Sequence, residues 1–311
     1  MLLIDDVTLN IVSWGVALPT HLLTRVVVDS SSSLLPDHIG DLPLSIVPLQ
    51  ITLDGQNYKD STDLTAEEFY ERIAVVGSKT STSAPNPNAF ENAFAIDNLN
   101  VLCITVSSKL SATYNAAQTA IKLRTSSLSS QRILLLDSGT AGGAQGLIAL
   151  AAARAAMEGQ SLEEVFKVAS ATASQVYFIG VLETVEYLQS SGRIPKIASW
   201  AVSLLNIKPV LGMFPGEGKV RMMYRPRSKP RAVEVILDFI ADKAGAKPLH
   251  LIAMHAACPN EAASLIQRIK DRFECLETLT TAFTPVIGAH TGPGLLGVAF
   301  CTDSVLPPNR K

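Results

Sequence analysis

Three short apolar runs constrain the fold of this chain more than anything else in its sequence. Arg25-Val26-Val27-Val28-Asp29, Val101–Val106 and Ile133–Asp137 each read as a strand, and each runs directly into hydroxyl- or glycine-rich residues: Ser30–Ser33, Ser107–Thr113 and Ser138–Gly146. Helical patterns follow at Tyr114–Leu123 and Gln145–Glu158. Continuous rather than alternating apolarity implies burial on both faces, as in a parallel sheet covered by helices. Val47–Leu53 reads as a further strand closed by the Asp54-Gly55 turn signal, and Thr65-x-x-Glu68 is a capping box opening a helix through Arg72.

Past Glu158 the pattern changes. Ser161-x-x-Glu164 caps another helix, Gln175–Ile179 reads as a strand, and Glu183–Gln189 as a short helix. Asn206–Leu211, the basic stretch Arg221–Arg231, a helix at Ala232–Lys243, a strand at Leu249–Met254, a helix at Glu261–Phe273 and a strand at Leu296–Cys301 follow. A length of 311 residues suits two domains of ~150 each. The division is expected near Gly159: residues 1–160 with an extra leader at 1–24, then residues 161–311, with a ligand cleft between. Pro307–Lys311 reads as a frayed tail.

Composition narrows the function classes. Apolar residues make up 47%, charged residues only 17%, and the formal net charge is −2. Mean hydropathy is +0.25, which excludes disorder. With no broad basic field, nucleic acid is not expected as a partner. The longest apolar stretches, such as Leu147–Ala153, fall well short of the ~20 residues a spanning helix needs. Asp5 and Asp6 stand where a signal peptide would be basic, and a cytoplasmic protein is expected, with at most transient contact at a membrane surface. Cys103, Cys258, Cys275 and Cys301 form no CxxC and have no His at metal spacing, so neither a metal nor another cofactor is expected. Buried thiols are expected at Cys103 and Cys301.

Hydroxyl clusters at strand ends are the most unusual local feature: Ser30–Ser33, Thr80–Ser83, and Ser107-Ser108 with Ser111 and Thr113. Open α/β sheets bind ligands beyond the carboxyl ends of their strands, where hydroxyls and helix N-termini suit a carboxylate or phosphate. Any one cluster also reads as ordinary caps and turns. The Ser138–Gly146 loop sits between strand and helix, yet has neither GxGxxG spacing nor a P-loop Lys, and close helix–strand packing explains its glycines as well. No GxSxG elbow is present. His250 and His255 are five apart in a strand and face opposite sides. His290 lies in Gly288-Ala289-His290-Thr291-Gly292-Pro293-Gly294, read as a rigid loop placing His290 and Thr291. Arg193 is one cation held in the turn Ser191-Gly192-Arg193-Ile194. Arg225, Arg227 and Lys229 lie in a basic run that suits an anionic partner or a solvated face.

In this order and spacing the motifs resemble the DegV family of bacterial fatty-acid-binding proteins, from about Val26 to Phe300. The motifs are Val28-Asp29-Ser30-Ser31-Ser32; Asp54-Gly55-x-x-Tyr58-x-Asp60-x-x-Asp63-Leu64-x-x-x-Glu68-Phe69-Tyr70; Thr82-Ser83-Ala84-Pro85-Asn86-Pro87; and Ser107–Tyr114. Glu186-Tyr187-Leu188-x-x-x-Gly192-Arg193-Ile194, Lys208-Pro209-Val210-Leu211 and the His290 segment complete the set.

The resemblance implies a two-domain α/β protein. Its N-terminal α/β/α domain has three layers and a mostly parallel sheet, and its second α/β domain has a mixed sheet. One long-chain fatty acid, palmitate- or oleate-like, is expected between them. The carboxylate is expected at Thr82, Ser83, Ser111 and Thr113, with Arg193, His290 and Thr291 beside it. The implied role is non-catalytic: a carrier presents the acid to a separate fatty acid kinase subunit, which makes an acyl phosphate for phospholipid synthesis. Arg225, Arg227 and Lys229 would face that partner. Ala112, Ala84 and Ser191 depart from the family pattern, where Gly, Gln and Gly are usual. Alternatives are a small-molecule phosphotransferase or nucleotide-dependent enzyme using the Gly139–Gly146 loop, and a lipid sensor with no kinase partner.

Overall fold

The computed structural model describes residues 22–75, 79–124, 130–193 and 207–302. The expected leader up to residue 21, the tail Pro307–Lys311, and the motif positions Ile194 and Asn206 lie outside these. The apolar runs form a four-stranded sheet of β2 (Leu44–Val47), β1 (Thr24–Asp29), β6 (Asn100–Thr105) and β7 (Ile133–Asp137), in that order and all parallel. A six-stranded mixed sheet follows the order β10 (Arg221–Tyr224), β9 (Val210–Met213), β8 (Tyr177–Val181), β13 (Leu296–Thr302), β11 (Leu249–His255), β12 (Cys275–Ala282). Only its β11–β12 pair is parallel. A small antiparallel sheet joins β4 (Gln56–Lys59), β3 (Gln50–Leu53) and β5 (Thr80–Ser83).

The expected strand Val47–Leu53 is therefore two strands in two sheets. Pro48 stands at the break; it has no N–H for a ladder, and the chain leaves the parallel sheet there. Ser30–Ser32 form one 3-10 turn, and Ser33 ends it in the left-handed region at φ 56°. Thr80–Ser83, expected as a turn, is strand β5.

Helices cover both large sheets: α1 (Pro36–Ile39), α2 (Ala66–Ile73), α3 (Pro87–Phe94), α4 (Thr113–Arg124), α5 (Gly143–Met157), α6 (Leu162–Ala173), α7 (Glu186–Ser191), α8 (Lys229–Ala244), α9 (Pro259–Lys270) and α10 (Pro285–Thr291). Both expected capping boxes are present: the backbone N–H groups of Glu68 and Glu164 bond the hydroxyls of Thr65 and Ser161, and each glutamate returns the bond. Period-two alternation sorts side chains to the layers. In β1, Val27 faces α3 and α4 with Phe90 and Phe94, while Val26 and Val28 face α5. In β11, Leu249, Leu251 and Ala253 face α8 and α9, while Ile252 and Met254 face α5. The layers thus run helices, parallel sheet, α5 with α6, mixed sheet, helices. Helix α6 packs on α5, β6 and β7.

Helix α5 touches both sheets and is buried at thirteen of its fifteen residues. A helix apolar all round belongs inside a protein. Its one charge, Arg154, is turned onto Glu277 of β12, with Nη1 donating to Oε2 at 3.0 Å, and His250 Nδ1 lies 3.2 Å from the same oxygen. The side chains of Arg154 and Glu277 are 11% and 8% exposed. Burial alone would raise the Glu277 carboxyl; the bond to His250 and the Arg154 guanidinium outweigh it and hold it at about 2. Cys103 and Cys301 are buried free thiols, as the sequence implies.

Two predictions test this seam. A Cβ at Gly146 would lie 2.9 Å from the Ser32 carbonyl oxygen and 3.3 Å from Ile252 Cδ1. Helix propensity alone favours Gly146→Ala by about 1 kcal/mol. Contact with fixed backbone reverses the sign, so urea denaturation should show a loss of about 1–3 kcal/mol. Glu277→Gln leaves Arg154 buried without its countercharge and should cost about 3–5 kcal/mol at neutral pH. Because folding depresses the Glu277 pKa, its contribution is complete above the ordinary 4.5 and is lost as pH falls through about 2. The gap between parent and variant should close over that window.

Candidate functional site

Residues Ala141 and Gly142, which lead into α5, line a cavity between the ends of the two large sheets. Its wall is mainly apolar: Leu49, Val106 and Leu110 from the first half of the chain, and Phe178, Met213, Phe283 and Ile287 from the second. Five polar side chains expected at the site line this same cavity: Thr82, Ser111, Arg193, His290 and Thr291.

Helix α10 delivers His290 and Thr291. The sequence reading of this segment as a loop is corrected: Pro285 starts a helix of seven residues, and Gly292, at φ 72°, ends it. Ile287, His290 and Thr291 then share one face by i, i+3, i+4 spacing and all line the cavity. Gly288 lets the helix lie close to α2, since a Cβ there would sit 2.7 Å from both Phe69 Cε1 and Tyr70 Oη. Tyr70 Oη donates to the Phe283 carbonyl at 3.1 Å just ahead of the helix.

Thr82 Oγ1 lies 2.8 Å from His290 Nε2. Whichever ring nitrogen carries the proton, this pair keeps one donor hydrogen uncommitted. Burial, and then the nearby Arg193 charge, pull His290 down to about 4, so the imidazole is neutral at neutral pH. Positive charge at the site therefore comes from Arg193, the only cationic residue among the described residues lining the cavity. Arg193 is exposed, follows Gly192 (φ 69°), and its Nη1 donates to the Ser191 carbonyl at 2.7 Å. Thr291 Oγ1 donates back along the helix to the Ile287 carbonyl at 3.0 Å.

The other expected residues are placed differently. Ser83 is exposed and, by strand alternation, on the opposite side of β5 from Thr82. Thr113 is buried outside the cavity lining, with its Oγ1 2.8 Å from Ser111 Oγ, so it backs Ser111. Lys229 is turned inward, 2.6 Å from Glu261 and 3.8 Å from Glu183. Arg225 and Arg227 are exposed, and Arg225 Nε bonds Met222 Sδ at 3.3 Å.

Ser30–Ser33 are buried, and two of them bond inward: Ser30 Oγ donates to Asp60 at 2.6 Å, and Ser31 Oγ to Asp29, while the Ser32 and Ser33 hydroxyls find no partner among the described residues. Ser31 also lines the cavity. Burial pushes the Asp29 carboxyl up, against hydrogen bonds from Ser31 and from Val106 N–H. The glycine loop is likewise committed to the fold. Gly139 N–H donates to Asp137 at 2.9 Å and Gly142 N–H to the Ser31 carbonyl at 2.8 Å, while Gly143 packs against Ile252. Those two N–H groups are thus spent within the fold. Along the cavity edge, the β9–β10 connection is strapped down by Ser107 Oγ to the Gly218 carbonyl (2.8 Å) and Lys109 Nζ to the Glu217 carbonyl (2.7 Å).

Sequence reasoning did not single out the apolar wall, because a leucine facing a cavity is written like one facing a core. A helical reading of Pro285–Thr291 would have found Ile287 by its spacing from His290.

Comparison with known proteins follows the same lines. A family model described as an uncharacterised protein of the DegV family matches residues 24–303. A DegV domain-containing protein of Clostridium acetobutylicum is 30% identical over 283 residues, covering 90% of this chain and 98% of its own. A DegV domain-containing protein of Mycobacterium tuberculosis is 30% identical over 285 residues, covering 90% and 98%. Among solved structures, a DegV family protein from Thermus thermophilus, described by its fatty acid binding, superposes with TM-score 0.82 at 29% identity, covering 90% and 99% of the two chains. The Streptococcus pneumoniae Fatty Acid Kinase (Fak) B3 protein, loaded with linoleic acid, shares the fold with TM-score 0.81 at 22% identity, covering 90% and 100%. With a family match across residues 24–303 and 30% identity to such relatives over 90% of its length, the chain belongs to the DegV family.

Proposed function

We propose that this chain binds one long-chain fatty acid in the cavity and presents its carboxylate to a separate kinase subunit for conversion to an acyl phosphate. The observation that carries the reading is the Thr82–His290 pair with Arg193 beside it, set in an otherwise mainly apolar wall. A carboxylate is costly to bury without donors and a countercharge. Here the free donor hydrogen of the Thr82–His290 pair, the Ser111 hydroxyl and one guanidinium supply them, while Thr291, whose hydroxyl donates to the Ile287 carbonyl, sits beside them on the same helix face. Ser83 and Thr113 are assigned no direct contact. An alkyl tail contributes the rest: at ~0.8 kcal/mol per CH₂, about fifteen methylenes offer on the order of 12 kcal/mol gross. Ordering the tail and losing free motion offset much of that, leaving tight but reversible binding.

The family membership and the fatty acid binding of the Thermus thermophilus relative support the ligand class. Presentation to a kinase goes further and rests on the motif resemblance, with the printed description of the Streptococcus pneumoniae protein in its favour. In this scheme the chain holds no ATP of its own.

Solvent extraction and mass spectrometry of the purified protein should recover long-chain fatty acid, and the stripped protein should take up palmitate or oleate. A preparation with no lipid and no affinity for either acid would sink the reading. The double variant Thr82→Ala with Ser111→Ala should lose about tenfold or more in affinity, as expected when bonds to a charged group are removed. Its melting temperature should stay close to that of the parent; unchanged affinity would remove both hydroxyls from the site. Acyl phosphate formation should need both this chain and a kinase subunit.

A further inference from the structure

Helix α10 is held at both ends by the small three-stranded sheet. At its C-terminal end His290 meets Thr82 of β5 at 2.8 Å. At its N-terminal end the contact is Asp60, the first residue after β4. Asp60 Oδ1 accepts the Val286 backbone N–H at 3.1 Å, and Oδ2 accepts the Ser30 hydroxyl at 2.6 Å. Ser30 Oγ accepts in turn from the Leu49 N–H at 3.0 Å, and the Asp60 N–H donates to the Leu49 carbonyl at 2.9 Å. Since β4 and β5 flank β3, they lie two strand spacings apart, about 9.6 Å at ~4.8 Å each. Seven helical residues rise about 10 Å, so the sheet spans the helix end to end.

Asp60 is 1% exposed, and no cation is paired with it among the described ion pairs. Burial pushes its carboxyl up to about 6, with the Asp29 charge acting in the same direction and the bonds from Ser30 and the Val286 N–H opposing. Tyr70, also buried, is the other titratable group facing it and stays protonated. A buried carboxylate without a countercharge is costly, and what it gains here is the orphan N–H of a helix first turn. The Asp60 side chain does not line the cavity. Its reach into the site is through the helix.

We propose that Asp60 is a positioning residue for the head-group site: by fixing the first turn of α10, it keeps His290 against Thr82 and Thr291 on the cavity wall. The inference rests on the fatty-acid reading for the role of those side chains, but the placement of His290 is testable without a ligand.

The experiment compares the full-length parent with Asp60→Asn, which keeps the shape but cannot accept both donors as a carboxylate does. In ligand-free protein, nitrogen-15 spectra of the His290 ring, assigned with His290→Gln, should shift in Asp60→Asn. Displacement of a fluorescent fatty acid should then show about a tenfold loss for palmitate and little change for hexadecanol, which has the same tail without the charge. Equal losses for both ligands, or unmoved ring signals, would overturn the proposal. A parent that binds neither ligand fails the fatty-acid reading instead, while the ring spectra still decide the role of Asp60.

Should Asp60→Asn not fold, the parent and Ser30→Ala carry the test. On lowering the pH from neutral, the His290 ring signals of the parent should show a step near 6, above the ring's own titration near 4. Arg193 and Thr82 are the groups facing the ring. Ser30→Ala removes one donor to Asp60 and should move the step to higher pH. A missing step, or one that stays in place in Ser30→Ala, overturns the proposal.

Discussion

Burial of α5 from both sides is the constraint on which the rest of the molecule depends. Its run of alanines, with Leu147, Ile148 and Leu150, gives each sheet an apolar surface with little side-chain bulk. Val26, Val28, Leu102 and Ile104 of the parallel sheet join one core cluster with Ile252 and Met254 of the mixed sheet. The glycines at its start serve the same end, by admitting Ser32 and Ile252 to the helix backbone. Arg154 and Gln145 break the pattern: a bidentate carboxylate answers the first, and Ser31 Oγ donates to Oε1 of the second.

The cavity follows from where that helix begins. Along α5 the space between the sheets is filled; ahead of Gly143 it is not, and Ala141 and Gly142 line the gap. Elements from both sheets reach that end of the molecule, so the polar residues there come from far-apart segments. Thr82 arrives on an antiparallel strand, Ser111 on the turn after β6, Arg193 after α7, and His290 on α10. Their grouping is a product of topology, and the electrostatics are simple: one exposed guanidinium, one neutral imidazole and a few hydroxyls.

The sequence was most legible where burial is greatest. β1, β6 and β7 are parallel and covered on both faces, so they are written as unbroken apolar runs. β4 and β5 are polar and half exposed, and Thr80–Ser83 carries the composition of a turn. β12 at the sheet edge, Cys275–Ala282, mixes Glu and Thr with apolar residues and gave no strand signal. α10 is short, with Pro285, Gly288 and Gly292 that also suit a loop. The hydroxyl clusters, Arg193 and His290 with Thr291 stand out one by one, but their grouping into one site came from motif resemblance, because spacing in one chain carries no information on which distant segments meet. Asp60 was quoted in a motif, but the partner that gives it meaning, Val286 N–H, is 226 residues away.

The shared core also decides how contents can leave the cavity. Exposing six large aliphatic side chains costs on the order of 10–20 kcal/mol at ~1.5–3 kcal/mol each. That equals or exceeds the ~5–15 kcal/mol stability of a whole protein. Parting the two sheets is therefore the same event as unfolding. A route that leaves the core intact runs over the rim, and beside it the β9–β10 connection, flanked by the cavity residues Met213 and Val220, is tied to Ser107 and Lys109 by two hydrogen bonds to its backbone. On the fatty-acid reading proposed above, a ligand that exchanges past this connection leaves the shared core closed.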